Sequence, residues 1–426
     1  MSRLRLSFFR MTMLICASTG MTLSPRITAA QSVTSSNTLR GPAIFNSPRD
    51  YQVGKEPGPL VVADFNRDGK LDIATANQAA GNVSVLLGSG SGRFGNAIAS
   101  PVGGGSYPVA MKAGDLNGDR TPDLVMANGF TNLTLILGNG DGTFKPPTKL
   151  QLESKPSSVE IADLNDDGNT DIITTLSETD HVAIFFGNGD GSFQEPIYIN
   201  VGSSPLSVAA ADFNGDGNLD LEIAESGSDQ VCLLLGNGAG DFGTPVQFSS
   251  GGTLPTFLAL GDFNSDGATD VAVQNGTFPY ASFAVLLNNG SGSLQPAIAN
   301  ATSYLVFTPI VLADDINNDG KMDILVEGTV GNSFDGFLLF TGNGDGTFGG
   351  PIGIPLTSGS AGIAVGDFNG DGKLDVASSV TLYGNMVQVR MTLATVSFRR
   401  PETIRQLAGQ PFMLSRPIST KTAFWI

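Results

Sequence analysis

The chain has 426 residues, a formal net charge of −17, 55 glycines, two cysteines and one histidine. A single histidine excludes multi-histidine zinc sites, and two cysteines are too few for a disulfide scaffold or a four-cysteine zinc site. The excess of acidic side chains argues against nucleic acid and anionic membranes as partners, and it favours bound cations. Hydrophobic residues make up 41% of the chain, which is enough to build a buried core.

The N-terminal segment has the features of an export signal. Basic residues precede a mostly apolar stretch at 11–23, and small residues precede a cleavage point after Ala30. The apolar stretch is too short to cross a bilayer, which disfavours the alternative of a membrane anchor. The sequence therefore predicts a signal peptide at 1–30, a linker at 31–44 and a secreted or cell-surface protein with no transmembrane segment after signal cleavage.

One nonapeptide, Asp-x-Asn-x-Asp-x-x-x-Asp, dominates the rest of the chain. It occurs seven times, with successive starts 48 to 53 residues apart. We call these segments Asp loops 1 to 7 and number their residues as positions 1 to 9. They lie at 64–72, 115–123, 163–171, 212–220, 262–270, 315–323 and 367–375.

A second motif, rich in glycine, follows each of the first six Asp loops. We call its copies the Gly-rich turns; they lie at 86–94, 136–144, 185–193, 234–242, 286–294 and 341–348. Paired Asn-Gly and Asp-Gly residues supply the positive φ angles of tight hairpins, and we expect hairpin turns here rather than metal sites. No Lys-Ser or Lys-Thr pair follows, which excludes a phosphate-binding loop.

Short β-prone runs separate the two motifs, and no stretch in the repeats has capped helical periodicity. Each repeat of about 50 residues thus offers about four strands, which indicates an all-β, seven-bladed β-propeller with four-stranded blades at 45–390. The segment 45–51 is predicted to be the closing strand of the last blade. With it the count reaches 28 strands, which removes an open sheet edge.

The Asp loops are predicted to bind calcium, up to seven ions in all, because four oxygen ligands at fixed spacing suit a hard cation of flexible geometry. Magnesium suits the loops less well, because it demands strict octahedral geometry and keeps several of its waters. Position 7 adds a backbone carbonyl, from Lys70, Asn169, Asn218, Ala268, Lys321 and Lys373. The predicted side-chain ligands at positions 1, 3, 5 and 9 are Asp64, Asn66, Asp68, Asp72; Asp115, Asn117, Asp119, Asp123; Asp163, Asn165, Asp167, Asp171; Asp212, Asn214, Asp216, Asp220; Asp262, Asn264, Asp266, Asp270; Asp315, Asn317, Asp319, Asp323; and Asp367, Asn369, Asp371, Asp375.

The alternative is a set of Asx turns held by bonds from side chain to backbone. Such a turn needs one or two of these residues, whereas here four recur at fixed spacing, and converging carboxylates would repel without a cation. Loop 2 is the weakest candidate, because Arg120 replaces the glycine of position 6 and Pro122 stiffens its exit.

The repeat resembles the FG-GAP or VCBS-type family, whose relatives include the propellers of integrin alpha subunits. The resemblance covers about residues 45 to 390 and includes the segments Phe-Gly-Thr-Pro at 242–245 and Phe-Gly-Gly-Pro at 348–351. It implies a seven-bladed propeller with calcium in hairpin loops that hold the blades. It also implies binding or adhesion more often than catalysis.

The C-terminal segment 391–426 departs from this composition, with one glycine and a net positive charge. Codons permitted for 417–426 can be read in another frame as Asp-Phe-Asn-Lys-Asp-Gly-Ile-Leu-Asp, an Asp loop 50 residues after Asp367. We expect a frameshifted remnant of an eighth repeat, in place of the simpler alternative of a short basic tail. The number of repeats in the parent protein stays open.

The sequence favours a non-catalytic, calcium-binding module for extracellular protein or glycan. A propeller-fold polysaccharide lyase or hydrolase is the alternative, and a fragment of a larger adhesin or the functionless product of a pseudogene are others. The single histidine of the repeats, His181, is expected to have no chemical role. Cys232, in an apolar run, is expected to be a buried strand residue.

Overall fold

The computed structural model describes residues 45–103, 107–277, 280–300, 311–330, 334–356, 360–381 and 384–393. The predicted signal peptide at 1–30, the linker at 31–44 and the tail from 394 onward lie outside these residues. Within them the chain forms 28 strands and no helix. None of the described residues belongs to a helix that could cross a membrane.

The strands form seven four-stranded antiparallel sheets, which are the blades of a β-propeller. Blades 1 to 6 are consecutive in the chain, and their strands pair in chain order. Their first strands are Pro57–Ala63 (β2), Pro108–Gly114 (β6), Ser158–Ala162 (β10), Pro205–Ala211 (β14), Pro255–Gly261 (β18) and Val311–Asp314 (β22). Their second strands are Asp72–Asn77 (β3), Asp123–Asn128 (β7), Asp171–Leu176 (β11), Asp220–Glu225 (β15), Asp270–Thr277 (β19) and Asp323–Val330 (β23).

The outer half of each of these blades has the same plan. The third strands are Asn82–Leu86 (β4), Asn132–Ile136 (β8), His181–Phe185 (β12), Gln230–Leu234 (β16), Tyr280–Leu286 (β20) and Phe334–Phe340 (β24). The fourth strands are Ile98–Pro101 (β5), Thr148–Gln151 (β9), Ile197–Asn200 (β13), Val246–Ser249 (β17), Ile298–Asn300 (β21) and Ile352–Pro355 (β25). The all-β, seven-bladed prediction is confirmed.

Blade 7 closes the ring with strands from both ends of the propeller. Its first three strands are Ser360–Gly366 (β26), Asp375–Val380 (β27) and Met386–Arg390 (β28). The fourth is Arg49–Gln52 (β1), antiparallel to β28 with Tyr51 opposite Val387. The predicted closing strand at 45–51 is thus confirmed, with its regular part shifted toward its C-terminal end.

The core lies between the blades rather than inside any one of them. Seven apolar clusters occur, one at each interface between neighbouring blades, including the closing interface of blades 7 and 1. The second strand of a blade, such as β3 or β11, is buried at every residue because both of its faces contact other blades. This explains why the second strands are rich in apolar residues and lack a strict polar alternation.

The regular contacts of blade 7 continue two residues beyond the boundary predicted at 390. Thr392 donates its backbone N–H to Oδ1 of Asp375 at 2.7 Å and bridges to Phe45. Met391 is buried in the interface between blades 7 and 1. These two residues, which the sequence assigned to the aberrant tail, belong to the blade.

The connections define two ends of the propeller. Asp loops join first to second strands, and Gly-rich turns join third to fourth strands, so both motifs lie at one end, the Asp-loop end. Turns from second to third strands and the links between blades lie at the other, which we call the opposite end.

Candidate functional site: the seven Asp loops

All seven Asp loops adopt the same backbone conformation, which has a positive φ at two positions. Position 4 has a positive φ, between 57° and 75°, in all seven loops. Position 6 also has a positive φ, and it is glycine in six loops with φ between 78° and 88°. Glycine adopts this conformation without the steric cost that a side chain imposes. Arg120 of loop 2 adopts it at φ 63° and carries that cost.

Side-chain oxygens at positions 1, 3 and 5 turn inward around the loop backbone. In every loop, Oδ2 of position 1 accepts the N–H of position 6 at 2.7–2.9 Å. Oδ1 of position 5 accepts the N–H of position 7 at 2.7–3.1 Å. In six loops the Asn of position 3 accepts the N–H of position 5 at 2.8–3.2 Å. The backbone thus gathers the oxygens of these three side chains.

The aspartate at position 9 has a different place, at the start of the buried second strand. Its Oδ1 accepts a backbone N–H from the Gly-rich turn of the same blade, at 2.7–2.9 Å in blades 1 to 6; the donors are Gly88, Gly138, Gly187, Gly236, Asn288 and Gly342. Its Oδ2 accepts the N–H of position 2 in six loops, at 2.8–3.1 Å. One carboxylate therefore connects the two motifs of a blade, which the sequence did not predict.

Burial raises the pKa of the position-9 carboxyls to about 6 in six loops, and raises that of Asp220 as well. The backbone N–H donors oppose this shift. The carboxylates of positions 1 and 5 add to it by repulsion, which places the three acidic groups of each loop within electrostatic reach of one another.

Loop 6 departs from the shared bonding pattern at its position 3. The N–H of Asn317 and its Nδ2 both donate to Asp323, at 3.1 and 3.3 Å. Its Oδ1 is buried and accepts no hydrogen bond from any described residue. A buried amide oxygen without a donor is costly, and a cation at this point would remove the cost.

The donor set of the loops fits a hard cation. All ligand atoms offered are oxygens, and an oxygen that accepts one N–H keeps a second acceptor site. Among the described residues, however, no three His, Cys, Asp or Glu side chains form a group that could hold a metal ion. The structure thus gathers positions 1, 3 and 5 in six loops, and it gives position 9 a separate structural contact. Calcium at the Asp loops stays a prediction.

The Gly-rich turns contact the preceding blade, beyond their role as hairpin turns. The N–H of Gly142 in blade 2 donates to the carbonyl of Phe65 in Asp loop 1 at 3.1 Å, and Gly92 makes the same bond to Phe368 across the closing interface. The ring of Phe144 also packs edge-on against Phe65, with centroids 5.8 Å apart. The recurring Phe at the end of the turn was the sequence signal for this contact.

His181 and Cys232, for which the sequence predicted no chemical role, both lie in strands of the propeller. His181 begins β12, and its Nδ1 lies 2.5 Å from Oε1 of Glu153, beside the ring of Tyr198. Cys232 is buried in β16, and burial raises the pKa of its thiol. It lies in the strand interior that the sequence predicted.

The fold and its loops define a class: β-propellers whose blades each carry an acidic loop between the first two strands. The model of the FG-GAP-like repeat matches residues 64–126, 115–174, 163–223 and 315–378, which together exceed half of the chain. The chain therefore belongs to the FG-GAP-like repeat family. No curated protein has a significantly similar sequence.

Solved structures share the fold at low sequence identity. BBS1N, from a complex with ARL6DN, is 12% identical with a TM-score of 0.57, over 83% of this chain and 98% of that one. A protein of unknown function from Desulfotomaculum acetoxidans DSM 771 is 13% identical, with a TM-score of 0.52 over 78% and 91% of the chains. A candidate 6-phosphogluconolactonase from Bacteroides uniformis ATCC 8492 is 10% identical, with a TM-score of 0.50 over 80% and 98%. These similarities establish the propeller fold alone.

Proposed function

We propose that the protein is a secreted or cell-surface β-propeller that binds calcium in its Asp loops and acts as a non-catalytic binding module for an extracellular protein or glycan. The observation that carries the proposal is the sevenfold recurrence of inward-turned oxygen ligands at one end of a closed propeller. Of the 40 acidic residues in the chain, 21 stand at positions 1, 5 and 9 of these loops. Bound cations would neutralise this concentration of charge.

Calcium in this proposal has a structural role. Each loop connects the buried second strand of its blade to the exposed end, and position 9 connects it to the Gly-rich turn. A cation held by positions 1, 3 and 5 would fix the loop relative to the blade interface. It would supply no bond-making chemistry.

The opposite end carries the candidate contact surface for a partner. Tyr107, just before β6, and Val109, the second residue of that strand, are about half exposed, and so is Phe130 in the turn before β8. The rings of Tyr107 and Phe130 lie 6.2 Å apart and form one aromatic patch. Exposed tyrosine and phenylalanine side chains of this kind suit contact with a protein surface or with the apolar face of a sugar.

Binding to a glycan array, paired with an assay for cleavage of the bound glycans, tests the proposed function. We expect retention of a glycan or protein ligand without turnover, and weaker retention by a variant with Tyr107→Ser and Phe130→Ser. Val246→Ser, on an outer strand away from the patch, is the matched control. Cleavage of a bound polysaccharide would contradict the non-catalytic role and support the lyase or hydrolase alternative.

A further inference from the structure

Asp loop 2 receives a cation from another blade, whereas the cation beside position 5 of loop 1, Lys70, belongs to that loop itself. Arg67, at position 4 of loop 1, reaches across the blade interface to loop 2. Its Nη2 lies 3.2 Å from Oδ1 of Asp119 and donates to the Asp119 carbonyl at 2.5 Å. The same nitrogen contacts the hydroxyl of Thr121. The guanidinium thus meets loop 2 at position 5, a predicted cation ligand, and at position 7.

The geometry of the propeller explains why a position-4 side chain can reach the next loop. Position 4 lies against the Gly-rich turn of the following blade in loops 2, 4 and 7, where an added Cβ at Gly118, Gly215 or Gly370 would lie 3.3–3.9 Å from a backbone carbonyl of that turn. At the corresponding place Gly140 has no side chain, and an added Cβ would lie 3.3 Å from Nε of Arg67. The absence of a side chain at Gly140 leaves the path that the arginine follows.

Arg67 is the one basic residue among the seven position-4 residues of the sequence. The others are Gly118, Asp166, Gly215, Ser265, Asn318 and Gly370. In loops 3, 4 and 5 the Oδ2 atom of position 5 accepts only the Nδ2 of the position-3 asparagine of the same loop, at 2.8–3.0 Å. In loop 1 the same atom of Asp68 accepts from Nζ of Lys70 in that loop, at 3.0 Å. All of these donors are local, whereas the bond in loop 2 brings a permanent charge from another blade.

A second basic residue strengthens the contrast. Arg120 takes position 6 of loop 2, where the other six loops have glycine. Loop 2 therefore has one positive charge in its own backbone turn and another delivered by Arg67. A divalent cation at positions 1, 3 and 5 would stand beside the guanidinium of Arg67, and like charges at such a distance repel.

We propose that Arg67 is a built-in counter-ion that replaces the metal in Asp loop 2. Its guanidinium neutralises Asp119, makes loop 2 independent of metal and connects blade 1 to blade 2 there. The remaining loops keep the requirement for calcium. This inference rests on the proposed binding of calcium by the loops, and the experiment below distinguishes failure of one from failure of the other.

Calcium bound per full-length chain, measured by equilibrium dialysis and metal analysis, tests the proposal. Asp119→Asn in loop 2 is compared with Asp216→Asn, the same change at position 5 of loop 4. We expect Asp216→Asn to lose one calcium ion and Asp119→Asn to lose none. Arg67→Gln should gain one ion, with an affinity at least about tenfold above that of loop 2 in the unaltered chain. The double variant Arg67→Gln with Asp119→Asn should lose that ion again.

Circular dichroism and melting curves in EDTA show whether each variant is folded before its calcium is counted. Loss of one ion by Asp119→Asn as well as by Asp216→Asn would overturn the role of Arg67 and leave calcium binding intact. An unaltered count in Arg67→Gln would also overturn it. No bound calcium in the unaltered chain would overturn the proposed function together with this inference.

Discussion

The aspartate at position 9 is the residue on which the local architecture of each blade depends. In blade 3, Asp171 is fully buried, and its two oxygens accept N–H groups from Leu164 and Gly187 at 2.9 and 2.8 Å. The amino acid type and spacing of this residue were predictable, because it ends the nonapeptide. Its bonds were not, since Gly187 lies 16 residues further along and no local pattern specifies that contact.

Asp171→Asn tests this structural role without reference to calcium. The amide nitrogen of asparagine would face a backbone donor, which leaves one buried N–H without an acceptor. We expect the free energy of unfolding in EDTA to fall by about 1–3 kcal/mol. Glu195→Gln, at an exposed carboxyl of the same blade, is the control and should change little. Equal urea midpoints for the two variants would contradict the role.

Glu222 is a second residue whose surroundings the sequence did not reveal. It is fully buried in β15, and neither carboxyl oxygen has a hydrogen-bond partner among the described residues. Burial, with some repulsion from Glu225, raises the pKa of this carboxyl well above 4.5. The corresponding residues of the other blades are all apolar: Ala74, Val125, Ile173, Ala272, Leu325 and Ala377.

Glu222→Met is therefore expected to stabilise the protein by about 1–3 kcal/mol, because it replaces an unpaired polar side chain with an apolar one of similar size. A carboxyl whose pKa is raised by folding favours the folded state at low pH. That contribution is lost as the pH rises above 4.5, so the gain from methionine should be larger at pH 8 than at pH 5. Urea melts at both pH values measure it, with Glu195→Met as the exposed control. A less stable variant, or a gain independent of pH, would contradict the account.

At the scale of an element, the Gly-rich turn also has one property that the sequence predicts and another that it does not. Its hairpin conformation was predictable, because Asn-Gly and Asp-Gly pairs supply positive φ angles within the turn itself. Its packing against the previous blade was not, because that contact joins residues about one repeat apart. Gly191, for example, has φ 83°, and an added Cβ would lie 2.9 Å from Cδ1 of Leu137 in blade 2.

A matched pair of glycines separates the cost of a positive φ from the cost of crowding the neighbouring blade. Gly168, in Asp loop 3, has the same φ of 83° but no atom within 4 Å of an added Cβ. Gly168→Ala should cost only the backbone strain, about 1–2 kcal/mol. Gly191→Ala should cost about 1 kcal/mol or more beyond that, since the methyl group overpacks the interface. Thermal or urea unfolding measures the difference, and equal costs would show that the turn does not pack on blade 2.

Closure of the ring belongs to the scale of the whole molecule, and strand counting alone predicted it. The contacts that complete it could not be read from the repeat. Tyr51 packs edge-on against Phe94 of blade 1, and Gln388 donates to Asp50 at 2.8 Å. Arg49 donates to the carbonyl of Gly92 across the closing interface at 2.8 Å. These residues lie outside the nonapeptide, so no recurrence reveals their pairing.

Truncation tests how much the ring depends on this closing strand. A variant that begins at residue 53 lacks β1 and exposes the edge of β28, whereas one that begins at residue 45 keeps it. We expect the first to lose more than about 4 kcal/mol of stability and to associate through the free edge. The second should melt and sediment like the longer chain. Identical behaviour of the two would show that β1 is dispensable.

The negative charge at the Asp-loop end is the other property of the whole molecule, and calcium is its proposed counter-ion. Ligand types and spacing were predictable from seven recurrences. Whether a cation binds was not, since backbone N–H groups also donate to the same carboxylate oxygens and stabilise their charge. Loop 2 shows this limit most clearly, because the position of Arg67 beside Asp119 depends on the arrangement of two blades.

The most direct test is the thermal melting curve of the full-length chain in calcium and in EDTA, with magnesium at equal concentration as the control cation. Calcium bound to the folded state alone should add about 2.7 kcal/mol per site at a hundredfold excess over its Kd, so the melting temperature should rise strongly. Magnesium should raise it less. A melting temperature that is the same in EDTA and in calcium would contradict calcium binding by the Asp loops.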